Sequence, residues 1–331
     1  MTTPTDEPTP DGHGRDADQP SQIPARGWKD VLVRTRHEVK DDRVPLLAAG
    51  VAFFGLLAMV PALVAVVSLY GLVADPDQVV EQAGSWLGAA PQEVRELVTS
   101  QLQSITTSAG GKAGLALVLG VVVALWSASS GMSHLIEAID TAYDEDETRG
   151  FVARRGLALL FTLGAIVFVL FAIGVIAVLP GLVDRAGLGS AGRILLGIVR
   201  WVALLVGMLA ALALLYRYAP DRDEPKWSWT SPGALVATLV WLAGSALFAV
   251  YTGNFGKYNE TYGSLGAVVV VMLWLWLTAM CVIVGAELNA ELERQTVRDT
   301  TRGAERPMGT RDAEAADTLG PTAEQVHARS S

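Results

Sequence analysis

Six stretches of the chain carry no charged side chain, and nothing else constrains the fold as tightly. They are Val44–Ala74, Ala113–Ile136, Gly156–Val183, Trp201–Tyr216, Trp227–Gly256 and Thr261–Ala286. A helix crosses the hydrocarbon of a bilayer with about 20 apolar residues. Five stretches are long enough as they stand, and the fourth becomes so when drawn from Ile194 to Tyr218 with Arg200 snorkelling. Charge is concentrated elsewhere: residues 1–43 and 294–331 hold 28 of the 59 charged side chains, leaving 31 for the 250 residues between. So sparse a set cannot cover a water-facing surface, which excludes a soluble two-domain enzyme. Period-two alternation is absent, which excludes a barrel of short strands. The fold class is therefore all-α: a polytopic membrane protein with six transmembrane helices in one bundle. The spans fall at about 46–73, 113–135, 156–180, 194–218, 232–253 and 264–288. A single cysteine, Cys281, excludes an intramolecular disulfide and any multi-cysteine metal site.

Orientation follows from Lys and Arg near the span ends. With the N-terminus inside, the inner segments carry 17 such residues and the outer ones six. Both termini are expected in the cytoplasm. The transmembrane domain covers 26–295, and the tails 1–25 and 296–331, poor in large apolar groups, read as disordered. No apolar h-region precedes Val44, so span one is expected to act as an uncleaved insertion signal. Trp28, Val31, Leu32, Thr35 and Val39 share one face of a basic helix, which predicts an interfacial helix before span one. The long outer loop, 74–112, reads as two amphipathic helices broken at Pro91, an outer cap over the bundle.

Several motifs then become recognisable in order. They are Ala49-Gly50-Val51-Ala52-Phe53-Phe54 with Pro61, Trp126-Ser127-Ala128-Ser129 leading to Ala142-Tyr143, and Glu147-Thr148-Arg149-Gly150-Phe151 with Arg154-Arg155. The second half adds Tyr216-Arg217 with Pro220, Trp227-Ser228-Trp229 into Pro232-Gly233-Ala234, Tyr262-Gly263-Ser264-Leu265-Gly266, and Gly285-Ala286-Glu287-Leu288-Asn289-Ala290. In this the chain resembles the YihY/BrkB family of bacterial inner-membrane proteins over about residues 26–295, and it departs from the pattern at Asp140, where the resemblance implies Asn. The resemblance implies the six-span fold, a link to serum resistance, and an older label, ribonuclease BN, but no settled chemistry.

The nuclease label can be tested on the residues. Metal-assisted phosphodiester cleavage needs clustered His and Asp ligands. His13, His37, His134 and His327 are scattered, and the run Asp144-Glu145-Asp146-Glu147 reads as a solvated loop. Basic residues are spread along every inner loop rather than gathered with aromatics for RNA. No enzyme activity, cofactor, metal or nucleic-acid partner is expected; membrane lipids and a second copy of the chain are the partners left.

Small residues at four-residue spacing, Ala116, Gly120, Ala124 and Ala128 in span two and Ala203, Gly207 and Ala211 in span four, read as close-packing stripes. Candidate pathway residues are the polar or irregular groups inside the spans and at their mouths. Pro61 frees the Leu57 carbonyl and predicts a kink. Trp126 with Ser127 and Ser130 is polar within span two, and the mid-span indoles Trp126, Trp241, Trp274 and Trp276 each need an acceptor, a serine hydroxyl or the Leu57 carbonyl. Asn254, Tyr258 and Tyr262 crowd the outer turn, as a cavity rim or an interfacial anchor. Glu287 closes the span-six run at the dipole end that disfavours a carboxylate, so it is expected to meet Arg43, Arg154 or Arg217, as a structural pair or a gate. Two functions stay open: a permease or flippase-like carrier of a small or lipidic substrate, with a cavity between spans one, two and six, and a non-transporting envelope scaffold.

Overall fold

A computed structural model describes residues 12–71, 111–178, 190–253 and 264–330. The outer-loop helices expected within 74–112, and Asn254, Tyr258 and Tyr262, lie outside the described residues. The helices are α1 Ala25–Asp41, α2 Val44–Gly71, α3 Gly111–Ala142, α4 Phe151–Ile173 with a wider turn over Gly174–Val178, α5 Ser190–Tyr218, α6 Trp227–Gly253 and α7 Ser264–Glu293. Two short helices follow, α8 Glu314–Asp317 and α9 Ala323–Ser330. Each of α3 to α7 is long and apolar enough to cross a membrane, and α2, joined to α1 across a 60° bend, supplies the sixth span. Among the described residues the β content is one isolated bridge, Pro225 to Thr301.

The bend is made where the sequence permits it. Arg43 sits at φ 51°, in the left-handed region, and the Asp42 N–H closes α1 on the Glu38 carbonyl at 2.8 Å. Pro45 then falls in the first turn of α2, where its missing N–H costs nothing. The kink expected at Pro61 falls within α2, which continues as one helix through Pro61 to Gly71.

Helix α2 packs between α3 and α7, α7 against α6, α4 against α3, and α5 against α6. Small residues make these approaches, with one correction to the expected stripe. Ala124 and Ala128 are buried, but a Cβ on Gly120 would meet nothing within 4 Å; the close face continues instead to Gly131, whose added Cβ would lie 3.2 Å from Ala58 and 3.3 Å from Gly55. The i, i+4, i+7 rule carries the contact around the helix. In span four Gly207 packs against the Phe168 and Phe171 rings.

The segments 12–25 and 296–330 and the loops 143–150 and 219–226 gather at one end of the bundle, hereafter the basic end. The Asp221 N–H donates to the Asp140 carboxylate at 2.9 Å, and the Glu314 N–H to Glu145 at 2.8 Å. Disordered tails are overturned over residues 12–25 and 296–330, which pack onto this end. Their order rests on paired polar groups. Gln295 donates to the His13 carbonyl (2.7 Å), Thr296 to that of Ala17 (2.7 Å), and Arg311 to those of Ala316 (2.6 Å) and Val297 (2.8 Å). Buried polar atoms that all find partners stabilise a segment without a large apolar core. The helix expected before span one is present, but its packed face is Gly27, Asp30, Val31, Arg34 and Thr35, turned onto α7 and α9, while Leu32 remains exposed.

Candidate functional site

Two polar clusters stand apart at the basic end. The first is a cleft between α3 and α4, a cavity of about 520 Å³ lined by Ser130, Ser133, His134, Glu147, Arg149, Phe151, Arg154 and Arg155. Arg155, on the first turns of α4, reaches across to α3. Its guanidinium donates to the Trp126 carbonyl, to Ser130 Oγ at 3.3 Å and to Ser133 Oγ at 3.4 Å, and lies 4.4 Å from the centroid of the Trp126 ring. Trp126 is 46% exposed and Phe151 73%, so the cleft is flanked by apolar surface. Arg149 is held in a fork by Glu147 at 2.7 and 2.9 Å, and Arg154 pairs with Glu137 at 3.2 Å. The sequence picked out Trp126 and Ser130 but missed Arg155, which reads there only as one more basic residue at a span end. Ser127 is half-buried on α3 and is not among the residues that line the cleft, which lies between spans two and three.

The second cluster surrounds Glu287 on α7. Glu287 is buried, yet among the described residues no Arg or Lys stands within ion-pair distance, which corrects the expected pairing with Arg43, Arg154 or Arg217. It meets the Asp42 carboxyl at the α1–α2 bend, with Glu38 and Glu291 nearby, and its Oε1 has no hydrogen-bond partner. The basic partners go one turn further on, to Glu291, which Arg34 and Arg294 both contact.

Beside this pair three of the recognised motifs meet. Asn289 Oδ1 accepts the Gly233 N–H at 2.8 Å, Asn289 Nδ2 donates to the Thr230 carbonyl at 3.1 Å, and the Tyr216 hydroxyl donates to the Val282 carbonyl at 2.8 Å. These bonds join α5, α6 and α7. The indoles find acceptors other than those expected: Trp241 donates to Thr278 Oγ1 and Trp276 to the Pro45 carbonyl, each at 3.0 Å, and Trp274 stacks edge-on with Trp241.

The acidic run is more tightly held than a solvated loop. Asp144 pairs with Arg294, Glu147 with Arg149, and Glu145 lies 4.0 Å from Arg222. Burial pushes Glu145 up to about 7 from an ordinary 4.5, outweighing the Glu314 N–H and the Arg222 charge. The folded chain therefore holds a proton there that the unfolded chain releases, so the contribution of Glu145 to stability falls as pH rises from about 4.5 to 7. Melting the purified protein at pH 5, 6 and 7 is expected to show this decline, and Glu145→Gln to make it shallower; an identical slope in both would refute the assignment. Among the described residues one trio of metal-ligating types comes together, His37, Glu38 and Asp41, on one turn of α1.

A family profile described as virulence factor BrkB matches residues 35–309, a span that contains both clusters and the Asn289 node. The chain belongs to the BrkB family. Among its relatives is the ribonuclease-like protein YfkH, by name, of Bacillus subtilis (strain 168), 30% identical over 254 residues, covering 75% of this chain and 90% of that protein. Another is the UPF0761 membrane protein NMB0524 of Neisseria meningitidis serogroup B (strain ATCC BAA-335 / MC58), 28% identical over 255 residues and 76% of this chain. The match spans 60% of that longer relative. No solved structure matches the chain. The family thus establishes a membrane protein with several apolar helices and leaves its chemistry to the residues.

Proposed function

We propose that this BrkB-family protein is a flippase-like carrier of a lipidic substrate, lying in a bacterial inner membrane with both termini in the cytoplasm. One observation carries the reading: a guanidinium, Arg155, set in a polar cleft flanked by the exposed apolar surface of Trp126 and Phe151. A charge at this depth costs a few kcal/mol unless it is paired, hydrogen-bonded or met by water, so its presence marks a candidate pathway or partner site. Ser130, Ser133 and the Trp126 carbonyl offer a polar track along α3 past which a headgroup can slide, while acyl chains stay against the exposed Leu119, Val122 and Val123. In this reading Pro61 is a structural element of α2, and Asn254, Tyr258 and Tyr262 are candidates for the far rim.

The Asp42–Glu287 pair acts as the latch at the cytoplasmic mouth, because it sits where the α1–α2 bend meets α7. Fluorescent-lipid translocation in proteoliposomes, read by quenching of the outer leaflet, tests the carrier: reconstituted protein is expected to speed exchange over empty vesicles, and no acceleration would overturn the reading. Glu287→Gln keeps a donor toward Asp42 and cannot ionise. It is expected to keep the wild-type melting temperature and to lose translocation. A variant as active as wild type would remove Glu287 from the pathway.

A further inference from the structure

We infer that the α3–α4 cleft is an anion site that takes the phosphate of a lipid headgroup, with Arg155 as its principal contact. This names the substrate class of the carrier proposed above, and it rests on a charge balance. Arg149 is neutralised by the Glu147 fork and by Asp221 at 3.4 Å, and Arg154 by Glu137. Arg155 is left over. Among the described residues no carboxylate pairs with it, its acceptors are a carbonyl and two hydroxyls, and its Nε is shut off from solvent without a partner. Nη1 keeps one N–H beyond its Ser133 contact, and a guanidinium charge with no carboxylate partner is suited to a phosphate oxygen.

The surroundings favour the same ligand. Helix α4 begins at Phe151 on the cleft wall, its N-cap Gly150 supplies no side-chain cap, and its first turn holds no acidic residue. Free N–H groups and the positive end of the dipole therefore add to the field of Arg155. About 520 Å³ is ample for a headgroup. A soluble anion has no use for the apolar flanks, whereas a lipid does. The Trp126 carbonyl lies about 15 Å along the helix from Ile136, where the uncharged run of span two ends. An anion drawn there sits below the membrane surface with its chains beside Trp126 and the exposed Val123.

The test is native mass spectrometry of the purified full chain in detergent, titrated separately with phosphatidylglycerol, diacylglycerol and inorganic phosphate. Phosphatidylglycerol is expected to bind, diacylglycerol with the same chains to bind at least about tenfold more weakly, and Arg155→Gln to bring phosphatidylglycerol down to that level. Gln keeps hydrogen-bond donors toward Trp126 and Ser130, and its melting temperature, measured alongside, separates lost binding from lost fold. Should Arg155→Gln unfold, Ser130→Leu, which narrows the cleft and leaves every charge in place, is expected to weaken phosphatidylglycerol alone. Equal binding of phosphatidylglycerol by the wild type and a folded variant, or of diacylglycerol and phosphatidylglycerol by the wild type, would overturn the site. Tight inorganic phosphate without lipid would overturn the lipid assignment. Lipid that binds at Arg155 but is never translocated would sink the carrier and leave this site standing; translocation indifferent to the phosphate would do the reverse.

Discussion

Arg34→Ala is expected to lower stability by about 3–5 kcal/mol, the range seen when one partner of a buried ion pair is removed. Arg34 is 2% exposed and spends its donors on two segments, the end of α7 and the chain at Pro321. Nε contacts the Glu291 carboxylate, Nη1 donates to Gln295 Oε1 and the Pro321 carbonyl at 2.9 Å each, and Nη2 to the Glu291 carbonyl at 2.8 Å. Gly320 lies flat against the guanidinium, where an added Cβ would stand 2.5 Å from Nε. Removing the side chain leaves Glu291 with Arg294 alone and unfastens the C-terminal segment from α1. Two measurements check this. The melting temperature in detergent should fall, and limited proteolysis should cut within 300–330 in the variant at protease levels the wild type resists. Lysine, with one compact ammonium in place of a fork, is expected to recover only part of the loss. Wild-type melting and proteolysis in Arg34→Ala would show that the tail is held by other contacts.

Gly233→Ala is expected to cost about 3 kcal/mol, at the upper end of overpacking penalties. Its new methyl would drive into the Gly285 carbonyl oxygen and stand 2.5 Å from the Asn289 amide. Both neighbours are anchored: Gly285 is backbone, and Asn289 is held at each end of its amide. Helices α6 and α7 must therefore separate, which also loosens the Tyr216–Val282 bond between α5 and α7. Gly164→Ala is the control, since a Cβ there meets nothing within 4 Å and alanine favours the helix. Thermal melts of the two variants in one detergent should differ by many degrees, and equal melts would mean that α6 and α7 adjust freely. This close approach joins two of the recognised motifs, Pro232-Gly233-Ala234 and Gly285-Ala286-Glu287, as two sides of one contact.

The sequence by itself determined the membrane-spanning architecture, because that architecture depends on local composition. An uncharged run of sufficient length has one low-energy fate in a bilayer, a helix with its backbone bonds closed internally. The basic helix Ala25–Asp41, the close-packing residues Ala124, Ala128 and Gly207, and the polar interest of Trp126, Ser130 and Glu287 were legible for the same reason. Tertiary structure decided whatever depends on which groups meet across distant segments. Composition left residues 296–331 disordered because they lack large apolar side chains, yet Thr296, Thr300 and Arg311 are buried by pairing with atoms up to 281 positions away. Glu287 looked bound for an arginine; packing gave the arginines to Glu291 and left Glu287 with Asp42. Arg155 looked like any basic residue at a span end until α4 laid it across α3. Solvation of an isolated residue can be read along the chain, whereas the pairing that offsets its burial is a property of the assembled bundle.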